Sequence, residues 1–222
     1  MTSPVRRTFA TLLLVLALPL LLAACGDSST EPPADGAVIP DTPDKLMQDF
    51  QAMYTSMNAA ALAPMLHPQY EMILQASTYN QFPDVGTTLD TVEEQRIHER
   101  MFSGHDVTDP DGSLVPGVAA ITFQTFQQQG AWMTSPPTDM IPDTMYGLFN
   151  VVIIVDRGSG HTYLKAEGAL KVYVAAADTV VGGQTRPYYR MRGLVDLTSD
   201  SKAMDNKATE TESSGSIKAL FR

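Results

Sequence analysis

The chain has 222 residues, 44% of them apolar, with 15 Lys and Arg against 25 Asp and Glu and a single Cys. One cysteine excludes an internal disulfide framework. A net charge of −10 leaves no basic surface in bulk to neutralise phosphates, so nucleic acid is not a partner; the length fits one moderate domain or two small ones.

The charge is unevenly spread along the chain. Arg6 and Arg7 precede a stretch that carries no charge as far as Ala24, and Leu12 to Leu22 form an apolar run broken only by Ala17 and Pro19. This is the pattern of a secretory signal, and the run is too short for a spanning helix. It ends in Leu22-Ala23-Ala24-Cys25, small residues before the bond to be cut and a thiol after it. The tetrapeptide resembles the lipobox of bacterial lipoproteins. That resemblance implies cleavage before Cys25, diacylglycerol on its sulfur, and two or three acyl chains as the attachment to the membrane. A single chain, at about 0.8 kcal/mol per buried methylene, holds only reversibly. Cleavage removes two basic residues and no acidic one, leaving 13 basic against 25 acidic, a formal −12. Gly26, rather than Asp, follows the cysteine; by resemblance to lipoproteins of two-membrane bacteria this implies the periplasmic face of the outer membrane, within the cell envelope.

Gly26 to Pro43 is rich in Pro, Asp and Ser and too poor in apolar residues to order itself. The expected organisation is therefore a signal peptide over 1–24, the lipidated Cys with a disordered tether over 25–43, and a folded domain with a C-terminal tail over 44–222.

Thr42-Pro43-Asp44 predicts a helix start, with a hydroxyl cap, a proline where no N–H is needed and an acid at the positive end of the dipole. Leu46, Met47, Phe50, Met53, Tyr54 and Met57 then recur at helical spacing. A short second helix follows Asn58 and is closed by His67-Pro68; Tyr70 to Leu74 reads as a short strand; Thr91-Val92-Glu93-Glu94 opens a further helix that Gly104 ends. Beyond it the period changes to two, predicting strands over Val118–Gln129, Leu148–Asp156, Thr162–Val174 and Pro187–Thr198, the last two joined by a loop around Val181-Gly182-Gly183. In the last strand Tyr189, Met191, Val195 and Leu197 alternate with Tyr188, Arg190, Arg192 and Asp196, predicting one buried and one wet face. Leu148 to Val155 is apolar on both faces and requires cover on both.

Phe50-Gln51-Ala52-Met53-Tyr54, Leu62 and Leu66-His67-Pro68-Gln69-Tyr70, followed by long antiparallel strands, resemble the NTF2-like (SnoaL/ketosteroid-isomerase-shaped) domains. The resemblance spans most of 44–198 and implies an α+β fold in which N-terminal helices pack on a curved antiparallel sheet to make a cone. It implies a small-molecule pocket in that cone, here lined by Phe50, Met53, Tyr54, Met57, Phe123, Leu164, Tyr189 and Met191, with adaptable methionines and Tyr54 as polar handle. Family isomerases and dehydratases place an Asp or His base beside a Tyr donor. Tyr54 and Tyr70 supply donors, but no acid falls on an inward strand position, so no catalytic residue is assigned. The expected function is a non-catalytic domain that binds a small apolar ligand or serves in assembly, with a small isomerase or dehydratase as the alternative.

Other chemistry is unsupported by pattern. His67, His98, His105 and His161 have no metal-ligand spacing, and no P-loop, Gly-x-Gly-x-x-Gly or Gly-x-Ser-x-Gly occurs, so neither metal nor cofactor is expected. Of the four, only His67 is expected to face an interior; His98 is read as lying on a solvated helix face. The Pro-broken stretch Ala131 to Pro142, with the only Trp, reads as a lid, a partner surface or a cover for the sheet. A doubly apolar central strand also raises the prospect of a homodimer through the sheet's outer face.

Overall fold

Thr42 caps the first helix as predicted: its hydroxyl accepts the Lys45 N–H at 3.1 Å, and Pro43 and Asp44 occupy the first turn. The computed structural model describes residues 40–109, 112–181, 183–199 and 209–222. Helix α1 (Pro43–Thr55) buries Leu46, Met47, Phe50, Met53 and Tyr54. A 3-10 turn (Ala59–Ala61) leads into the single turn α2 (Leu62–Met65), short enough that Pro64 costs it no hydrogen bond. Strand β1 (Leu66–Ile73), helix α3 (Ala76–Gln81), strand β2 (Thr88–Asp90) and helix α4 (Thr91–Phe102) follow. The cap of α4 is Asp90, one residue earlier than the sequence pattern suggests. Its carboxylate accepts the Val92 and Glu93 N–H groups at 2.8 and 2.9 Å, while Glu93 reaches back to the Asp90 N–H. A full negative charge at the positive helix end favours aspartate over Thr91 there.

A small hairpin, β3 (Val107–Thr108) and β4 (Leu114–Val115), precedes the four long strands β5 (Ala120–Thr134), β6 (Met145–Asp156), β7 (Tyr163–Val181) and β8 (Gln184–Ser199). Strand β9 (Thr209–Thr211) and helix α5 (Ser214–Leu220) complete the described chain. The main sheet runs β2-β1-β8-β7-β6-β5, with β9 beside β7. β1 lies parallel to β8 and β9 parallel to β7; the remaining pairs are antiparallel. β7 and β8 stay paired out to Val181 and Gln184, so the residues flanking the loop expected around Val181-Gly182-Gly183 form a two-stranded arm.

The NTF2-like cone is not what the chain forms. Its sheet is open and mixed, ending in the free edges β2 and β5, and it is neither closed nor curled; the fold class is corrected to an open α+β arrangement. Alternation and element order tell which strands pair and which face is wet, but curvature comes from twist and bulges that such patterns do not carry.

One bulge also corrects the predicted faces of β8. Tyr173 pairs with Gly193 but Val174 pairs with Met191, so Arg192 is an extra residue that reverses the alternation. Beyond it Leu194, Asp196 and Thr198 turn inward and are buried, while Leu197 turns outward and is 50% exposed. The inner face, carrying Val151, Ile153, Val155, Leu164, Leu170, Val172 and Leu194, shares one core with α1, α4 and α5. On the outer face, residues 135–144 fold back so that Ile141 packs with Tyr173 and Val195. Gly193 makes room for it, since a Cβ there would lie 2.1 Å from Ile141 Cδ1 and 2.8 Å from the Glu71 carbonyl oxygen.

Candidate functional site

The chemistry-bearing side chains converge in the core beneath α5. Glu94, Ile97, His98 and Met101 fall at i, i+3, i+4 and i+7 on α4, and all four are buried. Glu93, their neighbour, makes the cap; Glu94 points inward instead. Its carboxylate is ion-paired with Lys218 of α5 and accepts the Tyr70 hydroxyl at 3.3 Å. Lys218 Nζ also lies 3.2 Å from Met72 Sδ and bears on the Tyr54 oxygen.

The geometry fixes the protons on His98. Its Nδ1 lies 2.7 Å from the Glu94 carbonyl oxygen, which can only accept, so Nδ1 carries the hydrogen. Nε2 then accepts the Tyr54 hydroxyl at 2.6 Å. Burial holds this imidazole down to about 4 against its ordinary 6.5, with Glu94 opposing and Lys218 reinforcing the shift. Burial likewise pushes Tyr54 up to about 12 and Tyr70 well above the phenol range, the latter helped by Glu94. Burial alone would raise Glu94 and lower Lys218, but each charge overrides it in the other, leaving the carboxyl below and the ammonium above their usual values. The cluster is thus one ion pair among neutral donors, and Glu94 Oε2 has no hydrogen-bond partner among the described residues.

This is an acid, a base and two phenols in contact, but without room for a substrate. The enclosed space bounded by Tyr54, Met101, Ile121, Ile153, Ile217 and Lys218 is about 20 Å³, close to what one water needs. The larger hollow, about 300 Å³, is an open surface groove along α1 by Pro40, Asp49, Ser56, Asn58 and Pro64. Among the described residues no three His, Cys, Asp or Glu side chains gather as metal ligands.

The eight residues expected to line a pocket do come together. Phe50, Met53, Tyr54, Leu164 and Met191 are buried in the core, and Met57, Phe123 and Tyr189 pack against it. They fill it, however. Tyr54 meets Phe50, Phe102 and Phe123 with ring centroids 4.8, 5.4 and 5.9 Å apart, and α5 occupies the remaining space. The ligand-binding cone and the isomerase or dehydratase pocket are corrected to a packed interior. The expectation for histidine is reversed as well: His98 is fully buried, whereas His67 is only half-buried and accepts the Gln69 N–H at 3.1 Å. The signal for His98 and Glu94 was available, because both share the helical stripe of Ile97 and Met101.

Trp132 lies at the end of β5, donating to Asp44 at 2.7 Å and leaning on Phe149. The segment after it carries a second cluster, where Asp139 accepts Lys171 Nζ and the Tyr173 hydroxyl, each at 2.7 Å, and Ser135 Oγ at 3.1 Å. Burial would raise its carboxyl, but these bonds hold it at about 2. Cys25, the signal and the tether before Pro40 fall outside the described residues. No protein-family model matches the chain and no curated protein matches it, so neither the lipoprotein nor the NTF2-like reading draws support from relatedness.

Proposed function

We propose that this chain is a lipid-tethered protein of the cell envelope, held by Cys25 at the periplasmic face of the outer membrane, that works through the outer face of its sheet by pairing with a second copy. The observation that carries the pairing is the half-covered outer face. Residues 135–144 cover the end near Tyr173 and Val195. At the other end Leu197 is half exposed beside Ala169, and Leu148, Val152 and Ile154 are only partly buried on the neighbouring strand. These apolar side chains sit among Asn150, Lys165, Glu167 and Lys171 on the same face, and apolar surface rimmed by polar groups marks an interaction site. The tether supports a second copy as the occupant, because anchoring in one membrane confines copies to a plane and raises their effective concentration.

Two experiments test the two halves. Cys25→Ser is expected to leave unprocessed precursor or to release the protein from membranes; normal maturation and retention after high-salt washing reject the anchor. The chain beginning at Gly26 is expected to sediment as a dimer at micromolar concentration and Leu197→Lys as a monomer. A monomer in both rejects the pairing.

A further inference from the structure

We propose that the cleft beneath residues 209–222 is a peptide-binding site, filled in cis by the chain's own C-terminal segment and open to the same segment of a second copy by exchange. The segment is held as a ligand is held, through strand addition followed by insertion of a short helix. β9 adds parallel to Tyr163–Lys165, the part of β7 that extends past the end of β8, and the Glu212 N–H continues the ladder to the Lys165 carbonyl at 2.9 Å. α5 then enters the core, where Ser216, Ile217, Lys218, Ala219 and Phe221 are all buried.

The receiving groups come from separate elements of the body. On β8, Asp196 Oδ2 accepts the Gly215 N–H at 2.6 Å and Thr198 Oγ1 accepts the Ser214 N–H at 2.8 Å. On α3, Thr78 bonds Ser213 at 2.8 Å. On α4, Glu94 pairs with Lys218, and Glu93 accepts Arg222 Nη2 at 2.6 Å. These contacts define the ligand chemistry. It needs glycine at the entry, because a Cβ on Gly215 would stand 2.8 Å from Leu74 Cδ2 and 3.0 Å from Asp196 Oδ2. It needs a lysine three residues on to meet the waiting carboxylate, and an aromatic residue three beyond that for the position of Phe221. The main sheet from β2 to β5 is complete without the segment, and a helix of seven residues has little stability of its own. A second copy is the occupant because the matching sequence is the one seated there.

The test uses the full chain with a protease site placed between residues 201 and 207. After cleavage, the C-terminal piece is expected to stay with the body on gel filtration, and a fluorescein-labelled synthetic Thr209–Arg222 peptide is expected to replace it, read by anisotropy. A Lys218→Met peptide should compete roughly a hundredfold less well, because it leaves a buried carboxylate unpaired. A body carrying Glu94→Gln should lose that preference. Aggregation on cleavage, no uptake of label overnight, or equal competition by the Lys218→Met and Gly215→Ala peptides overturns the proposal. The readout is peptide exchange, so it is independent of pairing through the outer face.

Discussion

A carboxylate, a lysine and a tyrosine meet on each side of the sheet, and the two sets differ most in their access to solvent. Inside, Glu94 meets Lys218 and Tyr70 and ties α5 to the core. Outside, Asp139 meets Lys171 and Tyr173 and ties residues 135–144 to the strands. The outer carboxylate has both oxygens engaged and retains some contact with water, whereas the inner one is sealed in with Oε2 unpartnered among the described residues. Burial makes an ion pair more costly to break rather than more profitable to form. The inner set is therefore the costlier of the two to break once formed, and the outer set is a fastener.

That contrast can be broken most sharply at Lys218. Lys218→Met should destabilise the protein by about 3–5 kcal/mol, seen as a lower urea midpoint, because Glu94 is left charged in the core. Adding Glu94→Gln should recover most of it; a double variant as unstable as the single one would show that the loss is packing, not charge.

Acid separates the two sets next. Between pH 6.5 and 4 the unfolded chain protonates the imidazole of His98 while the native state, held at about 4, refuses the proton. Stability should therefore decline on acidification by roughly 2 kcal/mol between about pH 7 and 5, and His98→Gln should flatten that decline. The lowered carboxyl of Glu94 acts in the same sense, its contribution being lost only as pH falls through its depressed native value. Asp139, at about 2, adds its share only below the ordinary carboxylate range. An unchanged melting temperature from neutral pH to 5 would contradict the assignment of His98.

The smallest effect belongs to the outer set. Asp139→Asn should cost about 1 kcal/mol, since the neutral amide keeps part of the bonding and water reaches the site. Its clearer signature should be faster proteolysis within residues 135–144, with the urea midpoint lowered by only about 0.5 M.

Much of the local structure was legible in the chain. The Thr42 cap, the stripe from Leu46 to Tyr54 and the alternation of β7 follow from spacing alone. Phase along β8 was not, because one extra residue at Arg192 is invisible to a period of two, and it placed Leu197 and Asp196 on the wrong sides. The spacing points the eight pocket candidates inward without showing their use. Whether eight inward side chains line a hollow or fill it depends on a segment distant in sequence, and Ser213 to Arg222 supplies the filling. Glu94 was hidden by Glu93, since two adjacent acids at a helix start both read as caps when only one can be.

The partner of Glu94 stands 124 positions later in the chain. A chain made from its N-terminus onward completes α4 and most of the sheet while that carboxylate has no counter-charge, and contacts this far apart close slowly. A product truncated before Lys218 therefore carries a built-in defect that proteases can recognise. A nascent chain that defers this ion pair also stays loosely folded for longer.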